Sequence, residues 1–411
     1  MFPRRCLVAM PLGLFTLFGS AALAVAQTTL LVGPSGLPQI RDAIALAAPG
    51  DVVVVEPGTY AHFELTIGVT IRALQPGTVQ VAFDPAQIPP GCNNSLACLV
   101  GQGPTRLTLP PGQLAYLEGL DFAGNQFQLP FPGQIAFHRV DVTGGTVVAE
   151  NCTFATAGSA PLFARDTTLV LLGCSLTATG TSSLTMPGLH ASRSIVHAID
   201  STFTGSQFLF GVTLGNPGIL LGGSELHGSG LTLTGQQTGP AGGGPALVLD
   251  PLLGSESRAW LEGSQLIAGT GACAVEAPGQ QVSLADCTLT QAATCPVPAP
   301  ASLLGVAQPQ PLQLGATFTL AYRTEPNGFV VVFASPSLAP LALPIFEQPL
   351  LLDATAALAA GLVLADANGA ANASWPIPAA PQLVDTAFWF QGISGLALPL
   401  QLSPVAGGRL R

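Results

Sequence analysis

The chain of 411 residues contains no lysine: its 12 basic residues are all arginine, against 22 acidic ones, for a formal charge of -10. Polyanions gain nothing from such a surface, which argues against nucleic acid and anionic membranes as partners. Charge of either sign is scarce, at 8% of residues, while 48% are hydrophobic. Disordered chains show the reverse balance, so a packed core is expected. Beyond Gln27 no run of about 18 apolar residues goes uninterrupted, because Gly, Pro, Asp or Asn breaks each candidate. No transmembrane segment is therefore expected after the leader. Zinc spacing is also missing: there is no CxxC pair and the 5 His are scattered, so no metal or other cofactor is expected.

What the chain has is 48 Gly and 37 Pro among Val, Leu and Thr. Frequent turns with such residues favour many short strands over helices. Residues 1 to 26 have the form of a secretory signal peptide. Arg4 and Arg5 precede an apolar stretch from Leu7 to Leu23, and Ala24-Val25-Ala26 is a small-residue cleavage site. Arg4-Arg5-Cys6-Leu7-Val8 also fits a twin-arginine signal loosely, and no Cys follows the cleavage site to carry a lipid. The mature protein is expected to begin near Gln27 and to be secreted or held at the cell surface. It retains Cys92, Cys98, Cys152, Cys174, Cys273, Cys287 and Cys295. An odd number leaves at least one free thiol or an intermolecular bond.

Internal repetition sets the expected architecture. The segments 146–154, 168–176, 195–203, 218–226, 258–266 and 281–289 align on the anchors Phe154, Leu176, Phe203, Leu226, Leu266 and Leu289. A recurrence of roughly 22 residues is one coil of a parallel β-helix, and longer gaps are coils that carry loops. Seven and five residues before each anchor the positions are apolar, as for side chains pointing into a coil. Three before stand Asn151, Gly173, Asp200, Gly223, Gly263 and Asp286, residues that tolerate the left-handed backbone of a tight turn. Two before stand Cys152, Cys174, Ser201, Ser224, Ser264 and Cys287, small groups that fit inside that corner. The six anchors are expected to form an interior stack.

Residues 37 to 60 read LPQIRDAIALAAPGDVVVVEPGTY. Ile40, Ile44 and Ala47 share one face of a short helix, Pro49-Gly50 stops it, Val52 to Val55 forms a strand and Pro57-Gly58 turns the chain. This string resembles the N-terminal cap and first coil of the pectin-lyase-like parallel β-helix superfamily, in which a helix covers the open end of the stack. From about Thr294 the rhythm gives way to a proline-rich linker. The strands LQLGATFTLAYRT and GFVVVFAS follow, then a hairpin turning at Asp366-Ala367-Asn368-Gly369 and an aromatic strand from Ala387 to Gln391. The order DANG, IP, FWFQ resembles a C-terminal sandwich found on secreted proteins of planctomycete-like bacteria. The expected fold is all-β: signal peptide 1–26, right-handed parallel β-helix with a capping helix 27–300, and small antiparallel β-sandwich 301–411.

Many pectin-lyase-like proteins act on acidic polysaccharides. The resemblance therefore implies carboxylates placed for inverting hydrolysis, or a calcium site beside a cationic base. No Asp-Asp pair exists, motifs that need lysine are impossible, and Glu150 and Glu262 share an outward column on coils that are not neighbours. His190, Arg193 and His197 form the one cluster of two His and an Arg. Asp121 and Asp141 read as turn or edge residues. The outward column six before each anchor holds Val148, Val170, His197, Leu220, Trp260 and Ser283. An apolar stripe of this kind is either an interface or a seam beneath another element. His197 and Trp260, with Arg193 near by, are the candidate residues for stacking on sugar rings. The expected disulfides are Cys92 to Cys98 and Cys273 to Cys295, leaving Cys152, Cys174 and Cys287 in the corner column, with a Cys152–Cys174 bond as the alternative. The expected function is a non-catalytic exported scaffold with a possible polysaccharide-binding face. The alternatives are a polysaccharide lyase or hydrolase, and a protein-binding adhesin.

Overall fold

The run Val52–Val55 is buried on both faces and pairs in parallel with Thr29–Val32 on one side and Thr70–Ala73 on the other. β-Branched residues on both faces suit a strand enclosed within stacked layers. The computed structural model describes residues 27–84, 104–122, 126–128, 135–157, 159–179, 187–206, 215–237, 242–251, 256–298, 303–307, 312–341, 343–395 and 398–411. The expected signal peptide, residues 1–26, and the expected Cys92–Cys98 bridge lie outside them. Helix Ile40–Leu46 buries Ile40 and Ala43, and Ile44 and Ala47 pack against the same core.

Three parallel sheets run the length of the stack, with ten, nine and eight strands. They are named here sheets A, B and C. One coil shows the path: Thr146–Glu150 lies in sheet A, Thr153–Ala157 in B, Leu162–Arg165 in C, and Thr168–Leu172 returns to A one layer on. This is the expected parallel β-helix. Both short corners of the coil, A to B and C to A, use the left-handed backbone. At the first, Asn151, Asp200 and Asp286 have φ of 50°, 49° and 48°; at the second, Asp166 and Arg193 have 50° and 48°. Just inside the corners, hydroxyls cap amides of the preceding coil: Cys174 N donates to Ser201 Oγ at 3.0 Å, and Ser194 N to Ser224 Oγ at 3.1 Å. Those bonds satisfy backbone groups that the turn removes from the ladder.

The interior stack differs from the expected one by one member. Phe122, Phe154, Leu176, Phe203, Leu233, Leu266 and Leu289 are consecutive register partners in sheet B. Phe122 and Phe154 stack at 4.9 Å. Leu226 is buried too, but it sits in sheet A opposite Val196. The segment 218–226 is thus one strand out: Ile219–Gly222 belongs to sheet C, and the turn residue of that coil is Gly230. The reason is local. Gly223-Ser224-Glu225-Leu226 at one corner and Gly263-Ser264-Gln265-Leu266 at the other satisfy the same left-handed turn, so sequence cannot tell the corners apart.

The Cys273–Cys295 bridge is present, closing the final coil over a separation of 22 residues. Cys152, Cys174 and Cys287 are free, the first two fully buried. Loop closure of this size constrains the unfolded chain, so Cys273→Ser with Cys295→Ser is expected to cost about 3 kcal/mol. A shift of the urea midpoint corresponding to less than about 1 kcal/mol would show that the last coil is held by packing alone.

The C-terminal region is an antiparallel sandwich. One sheet joins Gly305–Ala307, Thr317–Arg323 and Ala370–Pro376; the other joins Leu358–Leu364, Phe329–Ser335, Ala387–Ser394 and Gln401–Leu402, with Ala406–Arg409 also pairing to Ala387–Ser394. The turn at Asp366 to Gly369 forms as expected, with Asp366 N donating to Ala370 O at 2.9 Å. Its two strands do not make a hairpin ladder, however. They part into opposite sheets: Ala370–Pro376 pairs with Thr317–Arg323, which sets the buried Ala371 and Ala373 beside Tyr322 and Leu320, whereas Leu358–Leu364 pairs with Phe329–Ser335.

Candidate functional site

The outward stripe of sheet A runs Tyr116, Val148, Val170, His197, His227, Trp260, Ser283. His227 replaces Leu220, which stands on sheet C. The sandwich lies over this stripe. Tyr116, Val148, Val170, Leu172 and Ile199 form one buried cluster with Leu304, Val306 and Trp389 of the C-terminal region. Val306 N donates across the joint to Ser229 Oγ at 3.2 Å, and the backbone at Gly305 passes so near Glu262 that a Cβ there would stand 2.0 Å from its carboxylate.

Within the stripe three rings stack face to face. His197 and His227 have centroids 4.5 Å apart, and His227 and Trp260 4.6 Å, with planes within 11°. The three residues are 1%, 3% and 4% exposed. As an open face for a sugar ring, His197 and Trp260 are therefore covered: stacking on either requires the sandwich to lift. Neither ring nitrogen of His197, nor Nε1 of Trp260, has a hydrogen-bond partner. His227 Nε2 lies 3.5 Å from Glu225, too long for a strong bond. Burial holds both imidazoles below their ordinary pKa, most strongly His197. Glu225 partly offsets this for His227.

Sequence reading missed a carboxylate pair. Glu118 and Glu150 are register partners on adjacent coils, so they stand about 4.8 Å apart along the stack. Glu118 was invisible because its segment precedes the aligned repeats. Both are buried, and Arg411 bonds each of them, at 2.7 Å and 2.9 Å. Tyr116 donates its hydroxyl to Glu150, and Arg409 lies 5.5 Å over the Tyr116 ring. Burial pushes both carboxyls above their ordinary pKa, against the pull of Arg411. Arg72 and Asp385 form a further ion pair across the joint. Glu262 is held at the other end by Ser229 and Arg323.

An open cleft of 830 Å³ remains where the sandwich meets the C-to-A corner. The β-helix contributes Arg193, Ile195, Glu225 and Arg258, and the sandwich contributes a largely apolar wall with Leu341 and Phe346, together with Glu347 and Gln348. Arg193 occupies a left-handed turn position, and its guanidinium makes two 2.6 Å bonds to Asp166 one coil earlier. Its side chain is 54% exposed. The cluster read from sequence is thus divided. His190 points outward from sheet C against Phe163, Arg193 stands at the corner, and His197 lies under the sandwich. Asp141 pairs with Arg139 on sheet C, and Asp121 on sheet B has its carboxyl raised by burial. Among the described residues, no group of three or more His, Cys, Asp or Glu is placed to hold a metal ion, and no helix is long and apolar enough to cross a membrane.

No family model and no curated protein matches the chain. Among solved structures it is similar to the full-length tailspike protein 2 of Escherichia coli O157:H7 bacteriophage CAB120, at 8% identity and a TM-score of 0.25, covering 90% of this chain. The chain spans 65% of that tailspike's length, and a likeness so distant carries no inference about function.

Proposed function

We propose that this chain is an exported, non-catalytic scaffold, a β-helix rod of the pectin-lyase-like type with its boundary to the sandwich near residue 300. It binds carbohydrate in the cleft between the two. The cleft carries the reading: it is an open concavity at the joint, with two arginines and a carboxylate on one wall and a largely apolar segment that also carries Glu347 on the other. Concave, partly apolar sites with a few convergent polar groups are the usual form of a ligand site, and domain joints are a usual place. Arg193, preset by Asp166, and Arg258, beside Glu256, would donate to sugar hydroxyls or a uronate carboxylate. Phe346 and Leu341 offer apolar surface to the ring faces. The scaffold reading is favoured over a hydrolase because Glu118 and Glu150, a carboxylate pair on adjacent coils, are occupied by Arg411 and Tyr116 beneath the sandwich, and Glu262 and Asp286, on the last two coils, are both engaged by Arg323.

A glycan array followed by titration tests this. Arg193→Ala and Arg258→Ala are each expected to weaken binding about tenfold, the worth of a charge-assisted hydrogen bond. Binding that neither substitution changes would move the site elsewhere. Release of unsaturated or reducing sugars from an acidic glycan would replace the scaffold with an enzyme.

A further inference from the structure

The joint between β-helix and sandwich contains a group that has no reason to be polar if its role is adhesion alone. Val148 and Val170 continue the stripe as aliphatic residues, and the next two coils present His197 and His227. Both imidazoles are enclosed, and they lie face to face at 4.5 Å. We propose that this stacked pair makes docking of the sandwich acid-sensitive: protonation of His197 and His227 releases the sandwich from sheet A, and neutral pH restores it.

Geometry sets the direction. A proton on His197 has no acceptor within reach, since neither ring nitrogen is paired and its stack neighbours are Val170 and the His227 ring. A second proton on His227 puts two like charges on stacked rings. The charged groups facing the stack are few. On the β-helix there is Glu225, 3.5 Å from His227 and also near Arg258; on the sandwich loop over the cleft there is Glu347; strand Gly305–Ala307 brings none. Glu225 can favour a proton on His227, yet burial outweighs it there, and for His197 only burial and His227 act.

The sign follows by linkage. A histidine whose docked pKa is depressed binds its proton only after undocking, so docking is intact above the ordinary value of about 6.5 and is lost as pH falls below it. Each histidine weakens docking by up to about tenfold per pH unit in that window. The joint's carboxyls act the other way. Glu118, Glu150 and Glu262 are raised by burial, so acid favours them docked. Without the histidines the pH response should therefore vanish or reverse.

The amide of Val306, bonded across the joint to Ser229, reports docking in the full chain. Hydrogen–deuterium exchange, corrected for intrinsic rates, is expected to show its protection falling at least tenfold from pH 7.5 to 5.0 and recovering on return. A variant with His197→Phe and His227→Phe keeps the stack's shape and is expected to hold or gain protection over the same range. Protection in the native chain that is constant to pH 5.0, or an equal loss in the variant, overturns the proposal. Should the variant not fold, the native titration decides alone: a loss beginning near pH 6.5 supports the histidines, and one confined below about 4.5, the carboxylate range, refutes them.

Discussion

Arg411→Ala is expected to cost about 3 kcal/mol and to loosen the sandwich, with a penalty that is larger at pH 7.5 than at pH 5. Arg411 is the cation shared by two enclosed carboxylates, Glu118 and Glu150, at 2.7 Å and 2.9 Å. Removing one partner of a buried ion pair typically costs about 3–5 kcal/mol, because the remaining charge stays desolvated. The lower end applies because the Arg411 side chain is itself 28% exposed. Both carboxyls are already raised by burial, and without the guanidinium they rise further. A raised carboxyl contributes stability that is present below its unfolded value and lost as pH rises through the folded value. The variant's deficit against the native chain should therefore shrink in acid. Carrying His197→Phe and His227→Phe in both chains removes the histidine effect, which would otherwise release Arg411 together with the sandwich at pH 5, so that the comparison reports the carboxylates alone. Paired urea titrations at the two pH values measure the difference, and a deficit below about 1 kcal/mol, independent of pH, would mean that Arg411 is a solvated surface cation.

Trp260→Ala should destabilise the chain by about 3–5 kcal/mol, as expected for truncating an enclosed aromatic residue. Trp260 is 4% exposed and stacks on His227 at 4.6 Å, so its loss leaves a void between sheet A and the sandwich that rigid coils cannot close. Trp260→Phe retains the ring and is expected to cost much less. Its indole N–H has no partner in the structure, so replacing it forfeits no hydrogen bond. Thermal denaturation of both variants checks the order. If Trp260→Ala melts with the native chain but loses glycan binding, Trp260 faces ligand rather than the seam.

Much of the β-helix was legible because its rules are local. Asn151, Asp200 and Asp286 mark turns whose backbone only a few residue types adopt cheaply, and Phe154, Leu176 and Phe203 follow at fixed offsets. The misplacement of Leu226 arose from the same locality, since two corners of one coil obey one rule. His227 was missed for that reason: shifting the alignment by one strand put Leu220 in its place.

The residues by themselves determined a stack of parallel coils, its capping helix, its left-handed corners, the Cys273–Cys295 bridge and an apolar stripe along one outer face. These depend on side-chain period and backbone preference, which neighbours in sequence carry. Only the tertiary structure decided what lies on that stripe. Arg411 reaches Glu150 across 261 positions of sequence, and Arg72 reaches Asp385 across 313. No local pattern encodes such a meeting, because it follows from how one folded surface seats on another. That seating encloses His197 and Trp260, occupies the Glu118 and Glu150 carboxylates, and leaves Arg193 at the rim of an open cleft.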